Sequence, residues 1–121
     1  MAVIIKALKQ GQVAGTGFTD TYSPPNGRAA IVKSMRLVNA GTSAVTLNTW
    51  FVRTIAGTPT SYRILPKDLV LAPGQMLVDD SEITMENFTA GGVTTTDLIQ
   101  LQVSVANVLY YVFSGIERDQ S

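Results

Sequence analysis

Two aspartates, Asp79 and Asp80, close the stretch "LAPGQMLVDD", and chemistry would first be sought there. With Glu82, and with Asp68 and Glu86 brought in from either side, they could supply oxygen ligands to calcium. They could also be the carboxylate pair of a glycoside hydrolase, which needs two side chains flanking one bond. The spacing argues against both. Adjacent strand residues point to opposite faces, so the two aspartates share a target only where the strand has ended. No spaced D-x-D-x-D-G loop accompanies them. The competing reading is structural: paired carboxylates resist burial, end a strand and block edge-to-edge addition. Any further role then lies in contact with a partner's Arg or Lys. We expect no metal, no cofactor and no catalytic residue.

The rest of the reactive inventory is thin. The chain has no histidine and no cysteine. Ser-His-Asp and Cys-His arrangements, disulfides and thiolate metal sites are therefore excluded. The glycine-bearing loops lack a G-x-x-x-x-G-K-[ST] pattern, so no phosphate cradle is indicated. Trp50, Tyr62, Tyr110, Tyr111 and Phe113 could form a sugar platform. They lie within strong strand patterns, however, which favours core or subunit interface. Arg28, Lys33, Arg36, Arg53 and Arg63 fall in the first half, and Asp79, Asp80, Glu82, Glu86 and Asp97 in the second. Either they make a mixed solvated surface, or they form complementary faces that guide subunit docking. Both readings stand open.

The elements that would position these residues are short strands. At 121 residues the chain suits one domain, 1–121, able to bury a core without staples. Runs of Val, Ile, Leu, Thr and aromatics alternate with Gly, Pro, Asn and Asp, the pattern of a sandwich or barrel. Strands are expected at Val3–Lys9, Phe18–Tyr22, Ala29–Val38, Val45–Val52, Ser61–Leu71, Gln75–Val78, Ile83–Phe88, Leu98–Val105 and Val108–Ile116. Lys33 breaks the alternation of Ile31, Met35 and Leu37; either a bulge resets the register or the lysine snorkels at an interface. Ile55–Thr60 reads as a loop, and Pro66 interrupts its strand or confines it to an edge. Ala72-Pro73-Gly74 suits a type II turn. Ala106-Asn107 is a candidate tight turn, and the polar tail, about residues 118–121, is expected to fray. In Val108–Ile116 both faces are apolar. One fills the core and the other must meet a second surface.

Hydrophobic residues make up 45% of the chain and charged residues only 15%, lean for a free monomer. Nine Lys+Arg balance nine Asp+Glu, so no basic excess exists for nucleic acid. No apolar run of about 18 residues is present to cross a membrane. "MAVIIKALKQ" does not read as a signal peptide. These properties fit a protein made in the cytosol that works packed against others.

Three stretches in order, "RAAIVKSMRLVNAGTSAVTLNTW", "RILPKDLVLAPGQMLVDDSEITMENF" and "DLIQLQVSVANVLYYVFSGIE", carry a resemblance over roughly residues 18–117. The chain resembles small all-β structural proteins of tailed bacteriophages, of head decoration (cement) or neck and tail type. The resemblance implies a virion component assembled in the host cytoplasm, with no catalytic residues. Met35 and Gly91-Gly92 depart from the family pattern, which affects packing and loop shape. The expectation is thus a single antiparallel β-sandwich, jelly-roll-like, of about eight strands and without enzyme activity. The leading function is capsid decoration, with neck, collar or tail as the nearest alternative. A carbohydrate-binding β-sandwich is the alternative of another class. Partners are copies of itself and other virion proteins, not nucleic acid or membrane. Candidate interface residues are Leu109, Tyr111, Phe113, Trp50, Arg36, Asp79 and Asp80.

Overall fold

Period-two alternation, punctuated by turn residues, folds the chain into antiparallel strands. The computed structural model describes residues 3–119, with side chains from residue 7 onward. Ten strands are formed: β1 (Val3–Gln12), β2 (Thr19–Tyr22), β3 (Arg28–Asn39), β4 (Val45–Ile55), β5 (Thr58–Arg63), β6 (Leu69–Leu71), β7 (Met76–Asp79), β8 (Ile83–Ala90), β9 (Val93–Val103) and β10 (Leu109–Asp119). No helix occurs among the described residues.

The pairing defines two rows. In the first, β1, β10 and β3 lie side by side, and the far edge of β3 takes β8 along Arg28–Val32 and β7 along Met35–Val38. In the second, β2, β9 and β4 adjoin, and β4 takes β6 along Val45–Leu47 and β5 along Trp50–Ile55. The β8–β9 hairpin carries the hydrogen bonds from one row to the other, so the ladder is continuous through all ten strands. The chain crosses between rows in jelly-roll order. Two positions of an eight-strand jelly roll are each filled by a pair of segments, β5 with β6 and β7 with β8. Residues 64–68, around Pro66, make the first break, and Asp80–Glu82 the second.

The core lies between the rows. Met35 and Leu37 of β3 and Leu109, Tyr111 and Phe113 of β10 meet Val45 and Leu47 of β4 and Ile99, Leu101 and Val103 of β9. At the rim, Asn39 is fully buried. Its side-chain amide donates to the carbonyls of Ser43 and Leu71, and its backbone carbonyl accepts from Gly74. One residue thereby ties the β3–β4 connection to the turn before β7. That turn closes with Gln75 N–H on the Ala72 carbonyl at 2.9 Å. Gly74 has φ of 75°, as the third residue of a type II turn requires.

The bulge is at Lys33. Ser34 pairs with Ser114, the next pair is Val32 with Gly115, and Lys33 is left over. Val32 and Met35 therefore both face inward, and Ile31 turns to the outer side with Lys33. A Cβ at Gly115 would overlap the Ile31 carbonyl oxygen, so glycine is what lets β10 follow the bulge.

Three local expectations are corrected. Ile55–Thr60 is not a loop: Ala56 and Gly57, both at positive φ, make a two-residue hairpin into β5. The β9–β10 connection spans residues 104–108 rather than two, and Asn107 N–H bonds the Val13 carbonyl. The tail does not fray at Arg118, because β10 continues to Asp119, paired with Arg28. Gln120 and Ser121 lie outside the described residues.

Candidate functional site

Alternation on β10, β3 and β7 sends one set of side chains to the core and the other outward. The register places Tyr110, Val38 and Met76 in one outward row and Val112, Arg36 and Val78 in the next. Tyr110 is 47% exposed, Met76 51%, Val78 41% and Val112 39%, so this apolar face is left open to water. Further along, Ile116, Ile31 and Thr84 form a third row. With Ala29 and Arg118 they line a shallow groove of about 400 Å³. Between the two apolar zones run Ser114, Ser34 and the Lys33–Glu82 ion pair at 2.7 Å.

This geometry corrects the residue choice on β10. Leu109, Tyr111 and Phe113 are core, at 0%, 5% and 0% exposure. The outward face is Tyr110 and Val112, which the sequence reading had placed on the opposite side of the choice. The misleading signal is at the strand's end. Inward positions continue through Gly115 and Glu117, whereas Ile116 extends the apolar run of the outer face. Exposed Met76 and Val78 were missed because β7 is too short to show a period. The helpful sign was the bulge, which fixes the outward phase of Arg36 and so of its neighbours.

Charges sort into paired and unpaired. Arg53 holds Asp97 through two hydrogen bonds of 2.8 Å, and the fully buried Asp97 also accepts from Glu86 N–H. That pairing raises the guanidinium's pKa above its ordinary value. The Tyr22 hydroxyl donates to buried Glu117 at 2.6 Å, and Arg28 bridges Glu117 and Asp119. Burial, and then the Glu117 hydrogen bond, raise the Tyr22 phenol far above the ordinary tyrosine value. Burial alone raises Tyr111. Most members of the two charge groups are thus satisfied within the chain. Arg36 and Asp80 are exposed and have no ion-pair partner among the described residues. Asp79, across from Met35, is the last residue of β7, and its carboxylate accepts from Ser81 N–H at 2.9 Å. Among the described residues no three His, Cys, Asp or Glu are grouped to hold a metal ion.

Trp50 belongs to the opposite outer face. It pairs with Gln100 and Arg63, and the Arg63 guanidinium lies 4.0 Å over its ring. Arg63 also donates to Asn48 at 2.6 Å, and Phe18 meets Trp50 edge-on at 6.4 Å. No aromatic platform is assembled: Trp50 is covered, Tyr62 pairs across from Phe51, Tyr110 is on the other sheet, and Tyr111 and Phe113 are core. Of the candidate interface residues, the structure therefore brings together Arg36, Asp79 and Asp80 and separates Trp50 from them.

Comparison with known proteins adds the fold's relatives. No protein-family model matches the chain, and no curated protein matches it. Its fold is similar to chains in solved structures of infectious bursal disease virus. For the Gx strain the TM-score is 0.51 at 13% identity, over 96% of this chain and 31% of that one. For the Gt strain it is 0.52 at 11% identity, over 96% and 30%. The chain spans about a third of the length of those viral chains. At such identity the likeness is one of fold: an all-β sandwich of jelly-roll type.

Proposed function

We propose that this chain is a non-enzymatic structural component of a virus particle, with capsid decoration on a tailed phage as the specific role. The observation that carries the reading is the outer face of β10, β3 and β7. Large apolar side chains there are open to solvent in adjacent rows, and contiguous apolar surface on a soluble domain marks a contact surface. The jelly-roll order supports it, because that two-sheet architecture recurs among viral capsid domains. So do the fold likeness to infectious bursal disease virus chains and the ordered resemblance to small tailed-phage proteins. Attachment at many equivalent sites makes a modest single contact effectively permanent.

Cryo-electron microscopy of a virus that encodes this sequence tests the proposal. The expected result is density for the sandwich on the head surface, in a copy number set by the capsid lattice. A copy number matching one ring at the neck or tail would move the chain there. Absence from purified particles, judged by mass spectrometry, would overturn the reading.

A further inference from the structure

The apolar face needs an occupant, and its charge pattern selects among them. Arg36 sits inside the face, flanked in register by Val112 on β10 and Val78 on β7. It is exposed and has no ion-pair partner among the described residues. Asp80 lies two residues beyond Val78 on the same segment and is likewise exposed and unpaired. A partner surface of one sign would satisfy only one of them. A copy of the same surface satisfies both. In a two-fold contact each patch meets its own image, so Arg36 of one protomer faces Asp80 of its partner, and the reverse. The chain as a whole carries no formal net charge, so identical copies approach without long-range repulsion. The backbone groups of β3 and β10 are already bonded on both sides within the sheet. Over β3 and β10, contact is therefore face to face through side chains.

We propose that a second copy of this chain covers the outer face of β10, β3 and β7, packing Tyr110, Val112, Met76 and Val78 against their images and pairing Arg36 with Asp80 across the two-fold. The surface is the one the proposed function rests on. The inference deepens that reading by naming the occupant.

The test is sedimentation equilibrium of the free chain, without any virus particle, over a wide concentration range. The wild type is expected to form a dimer, and Val112→Glu is expected to leave a folded monomer. Arg36→Asp and Asp80→Arg should each raise the dimer's Kd about tenfold, because each sets like charges opposite one another. The double variant Arg36→Asp/Asp80→Arg should return the Kd to within about threefold of wild type, since swapped partners meet again. Thermal melts of every variant check folding, and the charge swap still reads out if Val112→Glu fails to fold. A wild-type monomer at the highest concentration, or a double variant no tighter than the singles, would overturn the second copy. Neither outcome touches incorporation into particles, which mass spectrometry of the virion decides separately.

Discussion

Asp97 and Glu117 are buried carboxylates in a chain with little charge, and each is held by named donors. Replacing one partner leaves a charge in low dielectric, which costs more than the pair contributes. Arg53→Ala is therefore expected to destabilise the fold by about 3 kcal/mol, the lower end of the usual range because the guanidinium is partly exposed. Urea melts measure it, and a loss below about 1 kcal/mol would mean that Glu86 N–H and water suffice for Asp97. Tyr22 gives a pH signature. Its phenol keeps its proton in the fold far above the value at which the unfolded chain releases it, 10.0. The neutral form is favoured by folding, so this stability is whole below pH 10 and is lost as pH rises beyond it. Tyr111 acts in the same sense. Tyr22→Phe should flatten, without abolishing, the alkaline fall in stability. At neutral pH it should cost about 1–3 kcal/mol, because one Glu117 oxygen loses its donor. An unchanged alkaline slope in urea melts would refute the assignment.

At the scale of elements, β3 and β10 are the central pair of the first row, and their fit turns on Gly115. A side chain there meets the Ile31 carbonyl, which is backbone and cannot swing aside. At Gly11 a Cβ meets the Tyr111 hydroxyl, at 2.9 Å, the far end of a side chain. Gly115→Ala should thus lower stability by about 2 kcal/mol or more, and Gly11→Ala by much less. Paired thermal melts compare them, and equal losses would show that the bulge is not what glycine serves. Strands this regular were legible because period two survives in the sequence: Ile99, Leu101 and Val103 read directly as core. What was not legible has local causes. The bulge shifts β3 by one residue, so Ile31 exchanges faces with its neighbours. Buried Glu117 disguises the inward phase of β10, because a carboxylate at a core position looks like surface until Tyr22 and Arg28 are seen beside it. Asp97 hid among surface acids for the same reason. The Ala56-Gly57 hairpin was obscured by Pro59, which sits on the edge strand β5, where a missing donor costs nothing.

For the whole molecule, β10 is apolar on both faces: the sandwich encloses Leu109, Tyr111 and Phe113 in its own core and leaves Tyr110 and Val112 outward. The consequence reaches stability. If the outer face of β10, β3 and β7 is covered by a second copy, folding and association are linked, and the melting temperature must depend on concentration. A ligand present at about a hundred times its Kd adds roughly 2.7 kcal/mol, and here the ligand is the chain itself. For a domain of this size each kcal/mol moves the melting temperature by roughly 3–6 °C. Raising the wild-type chain a hundredfold in concentration, across its dimer Kd, should therefore lift the melting temperature by several degrees. Val112→Glu should melt at one temperature throughout, close to the dilute wild type, because Val112 contributes nothing to the core that its own chain needs. Calorimetry at a fixed scan rate reads both. A wild-type melting temperature that stays constant, with Val112→Glu matching it everywhere, would mean that water tolerates this face and that its apolar rows serve no assembly.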